Sequence, residues 1–469
     1  MMHVTRFVSF LLPTLASATG TTLLYSSYSF NPLEHLAGIT PYFEPQTPQF
    51  SPAPPSKCTP VRVGILSRHA AIYTNDFDYE EYIEPFVQKL ANHSTIDWSR
   101  IPTLHFLAGW TPPFSDAEEE ILTRVGKLEA TELGVSLSFR YPTLRLPKRV
   151  WTASSERTTK SAEALIRGLR LQDGSINLVS VYEGKKTGAN SLTPERGACT
   201  RYQGSAGAEE SEKFREIFTR PIIERLNTFT GGKFGFTDED VYGMMQLCGY
   251  ESVVRGGSKF CDLELFSPDE WLAFEYAEDV RYHYNTGYGS QVAGVMGLPW
   301  VQATAGLLLN DDQQQQDIYV SFAHRAMPAH LAVAMGLFNN TEFTGGNVND
   351  TMPLDRINHQ RAWKSSHVLP FLSNIAIERL NCSGSYGFDD GDYYRVLFNN
   401  GPQQLPGCGD GPGTSCSREA FQGYLQQRID LFGGFSEKCG VDYGNSTDVL
   451  SIYTDAGLGN GTVVAKRWN

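Results

Sequence analysis

A chain of 469 residues with 41% hydrophobic and 19% charged side chains exceeds a single ordinary core, so two domains, or one domain with a large insertion, are expected. Its 39 basic and 52 acidic residues leave a formal charge of −13, which opposes nonspecific binding to nucleic acid or to anionic membranes. A polyanionic ligand would therefore need a local basic pocket.

At the N-terminus, Arg6 precedes an apolar run from Phe7 to Leu15, and Ala16-Ser17-Ala18 gives the small-x-small pattern of a cleavage site. Residues 1–18 read as a signal peptide, which places the mature chain outside the cell or in the secretory lumen. The run is shorter than the ~20 residues a membrane span needs, and no later stretch is long and apolar enough, so stable membrane insertion is not expected. All eight cysteines lie beyond residue 18; an even count in an oxidising compartment favours disulfides. No C-x-x-C pair suggests zinc. Six N-x-S/T sequons, at Asn92, Asn339, Asn349, Asn381, Asn445 and Asn460, fit N-glycans on a secreted protein.

Residues 19–57 form a leader that becomes proline-rich from residue 41 and is expected to dock on the surface or remain mobile. The compact part is expected to begin near Cys58, with a strand from Val61 to Leu66. Ser115 and Glu118 make a capping-box pattern, followed by Ile121, Leu122, Val125 and Leu128 at helical spacing, with Gly134 as the expected C-cap. A short strand, Arg149–Thr152, then leads through a polar turn into a helix with Ala162, Leu165, Ile166 and Leu169 on one face. Arg157 falls at that turn, where a helix N-terminus favours anions. Residues from about 175 to 315 read as mainly helical, Asp311–Asp317 as an exposed loop, and the α/β pattern resumes with Ile318–Phe322. The division expected is a discontinuous α/β domain, 58–150 and 316–469, around a mainly helical segment, 151–315, that carries part of the α/β layer at its start.

In open α/β sheets ligands bind beyond the carboxyl ends of the strands. Val61–Leu66 is followed by Arg68 and His69, and Ile318–Phe322 by His324 and Arg325. If these strands are neighbours, the four side chains converge near Arg157 in a cationic pocket. Arginine forks suit phosphate, and a neutral imidazole is a competent nucleophile toward phosphorus. From spacing alone, a surface ion pair for Arg68 and a hydrogen-bonded core position for His69 remain open. The other histidines have no H-x-H or H-E-x-x-H spacing, so neither a catalytic metal nor any other cofactor is expected.

Several ordered segments, "LTRVGKLEATELG", "VWTASSERTTKSAEALIRGL", "GANSLTPERGAC", "FCDLELFSPDEW" and "HVLPFLSNIAIERLNC", resemble the secreted fungal histidine acid phosphatases, the group that includes the phytases, within the histidine phosphatase superfamily. The resemblance runs from about Cys58 to Cys439. It implies a large α/β domain with a central, mainly parallel sheet, a smaller helical domain inserted in it, and an active site in the cleft between. It also implies the bridges Cys58–Cys382, Cys199–Cys439, Cys248–Cys261 and Cys408–Cys416. Position by position, Arg68 and His69 match the first arginine and the nucleophile of R-H-G-x-R-x-P, Arg157 the central phosphate-binding arginine, and His324 the histidine of the later H-D pair.

Ile72 stands where that motif has its second arginine, Arg325 where it has the acidic proton donor, and Ala70 and Thr74 replace its glycine and proline. A charge-assisted phosphate contact is worth roughly 1.5–3 kcal/mol, and guanidinium is too weak an acid to protonate a leaving alkoxide. Glu156, Asp76 and Asp78 are candidate substitutes by proximity. Three readings follow, in this order: redirection to acid/base or binding chemistry on an anionic small molecule, as in secondary-metabolite tailoring; a phosphomonoesterase working through a phosphohistidine at His69; or a pseudoenzyme that binds without turnover. Phytate is disfavoured as a substrate by the overall negative charge.

Overall fold

The computed structural model describes residues 30–44, 51–169, 175–312, 314–340, 351–441 and 447–454. The expected signal segment and Asn349, Asn445 and Asn460 lie outside them. The architecture is organised by apolar runs too continuous for a half-solvated strand, the pattern of strands covered on both faces. These runs become β1 (Cys58–Arg68), β2 (Arg149–Ala153), β3 (Asn177–Val181) and β4 (Ile318–Ala323). Further strands are β5 (Asn374–Cys382), β6 (Gly391–Phe398), β7 (Gly401–Gln403) and β8 (Cys416–Ser417). The sheet order is β3-β2-β4-β1-β5-β6-β7, with β8 on β6. The first four strands run parallel, and β5 opens an antiparallel run. This is the α/β fold that the resemblance implies.

Helices α1 (Glu84–Asn92), α2 (Arg124–Arg140) and α3 (Glu156–Leu169) are followed by α4 (Ala208–Thr230), α5 (Asp238–Arg255), α6 (Pro268–Asn285) and α7 (Ala293–Leu309). Then come α8 (Ala326–Met335) and α9 (Arg418–Phe432). The described residues from Pro32 onward form one compact unit. Leu36–Thr40, inside the segment expected as a leader, are buried. Phe371 N–H donates to Thr40 O, and Ala37 N–H donates to Ser366 Oγ.

Three local expectations change. The capping box at Ser115 forms, but it closes only a short turn, Asp116–Glu118. Glu120 then adopts φ 62°, a left-handed conformation that interrupts a helix, and Leu122 forms a bridge to Ile72. Thr123 is the cap from which α2 starts, accepting from Gly126 N–H. Gly134 is therefore inside α2, not at its end; a Cβ there would collide with Leu165 O of α3. The region expected to be mainly helical also contributes β3, which pairs with β2 along its whole length. Within the polar run, Gln316 is buried: its amide accepts from Lys148 and Arg149 N–H and donates to Arg149 O and Ile318 O, clasping β2 to β4.

All four bridges have the pairing that the resemblance implies. Cys58–Cys382 ties paired positions at one end of β1 and β5, and the opposite, carboxyl end of β1 opens into the site.

Candidate active site

Because β1 and β4 are parallel neighbours with Arg68 opposite Ala323, the next residues, His69 and His324, emerge side by side. Their rings lie 5.9 Å apart, centroid to centroid. The His69 backbone is held on both sides: its N–H donates to Ala323 O, and its carbonyl accepts from Leu372 N–H. Ser161, one turn into α3, accepts from Ala70 N–H. Arg68, His69, Arg157, His324 and Arg325 all line one cavity of about 360 Å³. The five residues singled out in the sequence thus meet in one place.

The imidazoles are in different tautomeric situations. His69 Nδ1 lies 2.9 Å from Ala70 O, and a carbonyl only accepts, so Nδ1 carries the hydrogen and Nε2 keeps the lone pair. Burial, reinforced by Arg68, Arg157 and His324, holds this ring well below the usual imidazole range, which favours its neutral form. His324 presents Nε2 to Glu183 Oε2 at 3.0 Å, while its Nδ1 is sealed from solvent with no partner. Burial pushes His324 down to about 4 despite that carboxylate. Glu183, although buried, is held at about 2 by hydrogen bonds from His324 and Ser155. Arg196 Nε adds a third contact to it at 3.3 Å.

Arg68 is 2% exposed. Its guanidinium donates to the carbonyls of Gly38 and Leu369 and lies 4.4 Å from the Phe371 ring centre. With neutral acceptors only, burial and then Arg325 push it down to about 9. It remains a cation in acid, with no carboxylate to neutralise it. Arg157 is paired with Glu120, and Arg325 lies over the Tyr282 ring at 5.3 Å.

The pocket is less uniformly cationic than expected. Asp76, Asp78, Glu120 and Glu195 also line it, beside the further arginines Arg196 and Arg281. Of the substitutes for the missing acid, Asp76 and Asp78 reach the cavity, whereas Glu156 is exposed and is not part of its wall. Asp78 Oδ2 accepts from Asn75 and from the Tyr250 hydroxyl, each at 2.6 Å. Ile72 is buried at the cavity wall, an apolar face where the family motif has a cation.

Sequence reasoning missed Glu183, Glu195, Arg196 and Arg281. Glu183 stands two residues past the carboxyl end of β3, so the strand-end argument that found the histidines would have found it had β3 been recognised. Glu195 and Arg196 sit on a short turn, Pro194–Arg196, close to Cys199 and its bridge to Cys439; the segment carries part of the family resemblance, but no local pattern marks these side chains. Among the described residues, no His/Cys/Asp/Glu group could hold a metal ion and no helix is long and apolar enough to cross a membrane.

Residues 61–399 match the family model of the Histidine phosphatase superfamily (branch 2). A thiamine-repressible acid phosphatase of Schizosaccharomyces pombe is 30% identical over 418 residues, covering 84% of this chain and 87% of that protein. An acid phosphatase of Komagataella pastoris is 29% identical over 447 residues, covering 91% and 90%. Among solved structures, the phytase from D. castellii superposes with a TM-score of 0.80 at 24% identity, over 91% of this chain and 90% of that one.

Proposed function

From the premise that the chain belongs to branch 2 of the histidine phosphatase superfamily, we propose that it hydrolyses phosphomonoesters through a covalent phosphohistidine at His69. The observation that carries this reading is the bond from His69 Nδ1 to Ala70 O. It leaves Nε2 as the lone-pair nitrogen of a neutral ring at the wall of an arginine-lined cavity. Nε2 attacks phosphorus; the N–P bond forms as the bond from phosphorus to the ester oxygen breaks, and the electron pair leaves with that oxygen. Water then attacks the phosphohistidine, releasing inorganic phosphate and restoring the ring.

The protein's own residues handle charge and orientation. Arg68, Arg157 and Arg325 face the phosphoryl oxygens, and their guanidinium forks are preorganised for charge that spreads in the transition state. An arriving anion also favours the imidazolium of His324, whose Nδ1 is otherwise unpartnered. His324 then donates from both nitrogens, one to Glu183 and one to phosphate. Redirected chemistry gained its place from an empty acid position, and the carboxyls at this cavity wall supply candidates for that acid.

Export belongs to the same proposal. Asn92, Asn339 and Asn381, the sequon asparagines among the described residues, are all exposed, as N-glycan attachment requires.

The test is phosphate release from 4-nitrophenyl phosphate between pH 3 and 7, with wild type beside His69→Ala. Wild type should turn over, and the variant should lose at least about a thousandfold. Acid quench should trap an acid-labile phosphoenzyme in wild type alone. Release that survives His69→Ala, or no release at high enzyme concentration, would remove the reading.

A further inference from the structure

If the protein is a phosphatase, something must protonate the departing alcohol, and the residue after His324 is an arginine. We propose that Glu195 is the catalytic proton donor, and that its presence lets the enzyme cleave alkyl as well as aryl phosphates; this rests on the phosphomonoesterase reading above.

The other acids at the cavity wall are committed elsewhere. Glu120 is paired with Arg157, and Asp78 accepts from Asn75 and Tyr250. Asp76 is exposed and accepts from Phe77 N–H. Behind the wall, Glu183 is held ionised by His324, Ser155 and Arg196. Glu195 is the wall acid that combines two features: its Oε2, like that of Glu120, is sealed from solvent with no hydrogen-bond partner, but unlike Glu120 it has no ion pair among the described residues. A buried carboxylate oxygen left so would be costly, whereas a protonated carboxyl is tolerated until a ligand oxygen arrives.

Its placement is rigid. Arg196 N–H donates to Thr193 O at 3.0 Å and Cys199 N–H to Pro194 O at 2.9 Å, and Cys199 is bridged to Cys439. The charged and titratable groups facing Glu195 are Arg196, Glu183 and Tyr202. Burial raises Glu195 to about 7, opposed by its own backbone N–H and by Arg196, with Glu183 adding to the rise. The acid form is thus present throughout the acidic range and is lost as pH rises through about 7.

In the first step the Glu195 proton moves to the ester oxygen as its bond to phosphorus breaks, giving neutral alcohol and a Glu195 carboxylate. In the second, that carboxylate takes a proton from the attacking water as the N–P bond breaks. Phosphate leaves, and His69 and Glu195 return to their starting states, so one ester and one water become one alcohol and one phosphate.

The experiment compares 4-nitrophenyl phosphate, whose phenolate departs unaided, with glycerol 2-phosphate, whose alkoxide does not, in wild type, Glu195→Gln and Glu195→Asp. The readout is the ratio of kcat/KM values within each protein, which cancels any loss of folded material. Glu195→Gln should lower the alkyl-to-aryl ratio about a hundredfold and abolish the alkaline fall in the alkyl rate near pH 7. Glu195→Asp should recover part of the ratio. If the aryl ester is hydrolysed through His69 but the ratio is the same in wild type and Glu195→Gln, the donor assignment is wrong and the phosphatase reading stands. If neither ester is hydrolysed by wild type, the phosphatase reading itself fails and the donor falls with it.

Discussion

Two arginines in this protein are almost equally buried, Arg68 at 2% and Arg361 at 5% exposure, yet they are surrounded in opposite ways. Arg361 lies between two acids: Nη2 is 3.0 Å from Glu275, and Nε donates to Asp279. Asn358 O and the Tyr276 ring complete its shell. Burial opposes ionisation of both acids. Contacts with His35 and Arg361 nevertheless hold Glu275 below the usual carboxylate range, while burial raises Asp279 above it. Arg68 has two carbonyls and an aromatic face, and no carboxylate. The first arrangement is electrostatically closed and belongs to the scaffold. The second keeps positive charge at a cavity wall, and an anion completes it.

Breaking the closed arrangement should have the largest effect. Arg361→Met leaves two buried acids facing each other, and removing one partner of such a network costs about 3–5 kcal/mol. The urea midpoint should fall accordingly, while the inhibition constant for inorganic phosphate, measured where the variant is folded, stays at the wild-type value. A wild-type urea midpoint would mean that the cluster is not the scaffold element described. The open arrangement should answer to the other readout. Arg68→Met removes a charge-assisted contact worth about 1.5–3 kcal/mol, so phosphate should bind roughly 10- to 150-fold more weakly. Unchanged phosphate affinity in Arg68→Met would remove the distinction between the two arginines.

This contrast was only half legible in the amino-acid order. The strand-end rule located Arg68, His69, His324 and Arg325, because parallel strands put the residues just past their carboxyl ends on one edge of the sheet. It passed over Glu183 because β3 is five residues long and lies in a region dominated by helices. The resemblance supplied the disulfide pairing, which spacing alone leaves open among many connectivities. Residues such as Glu120 and Glu195 carry no local pattern. They reach the cavity through a left-handed backbone position and a short turn near a disulfide, and tertiary placement decides that. Asp279 and Arg361, 82 positions apart, are joined only by the packing of α6 against the segment before β5.

The smallest predicted effect concerns a place where the open site is partly closed. Glu120 pairs with Arg157, with side-chain exposures of 30% and 15%, so an incoming phosphate must compete with a carboxylate for that guanidinium. The pair is partly buried, and because desolvation of both charges offsets much of their attraction its net contribution is about 1 kcal/mol. Glu120→Gln should release Arg157 and tighten inorganic phosphate about two- to fivefold at constant ionic strength, with the urea midpoint nearly unchanged. The gain should shrink as salt is added, since screening weakens both the competing pair and the phosphate contact. If phosphate binds more weakly instead, Glu120 orients Arg157 for the ligand rather than competing with it, and Arg157 then resembles Arg361 more than Arg68.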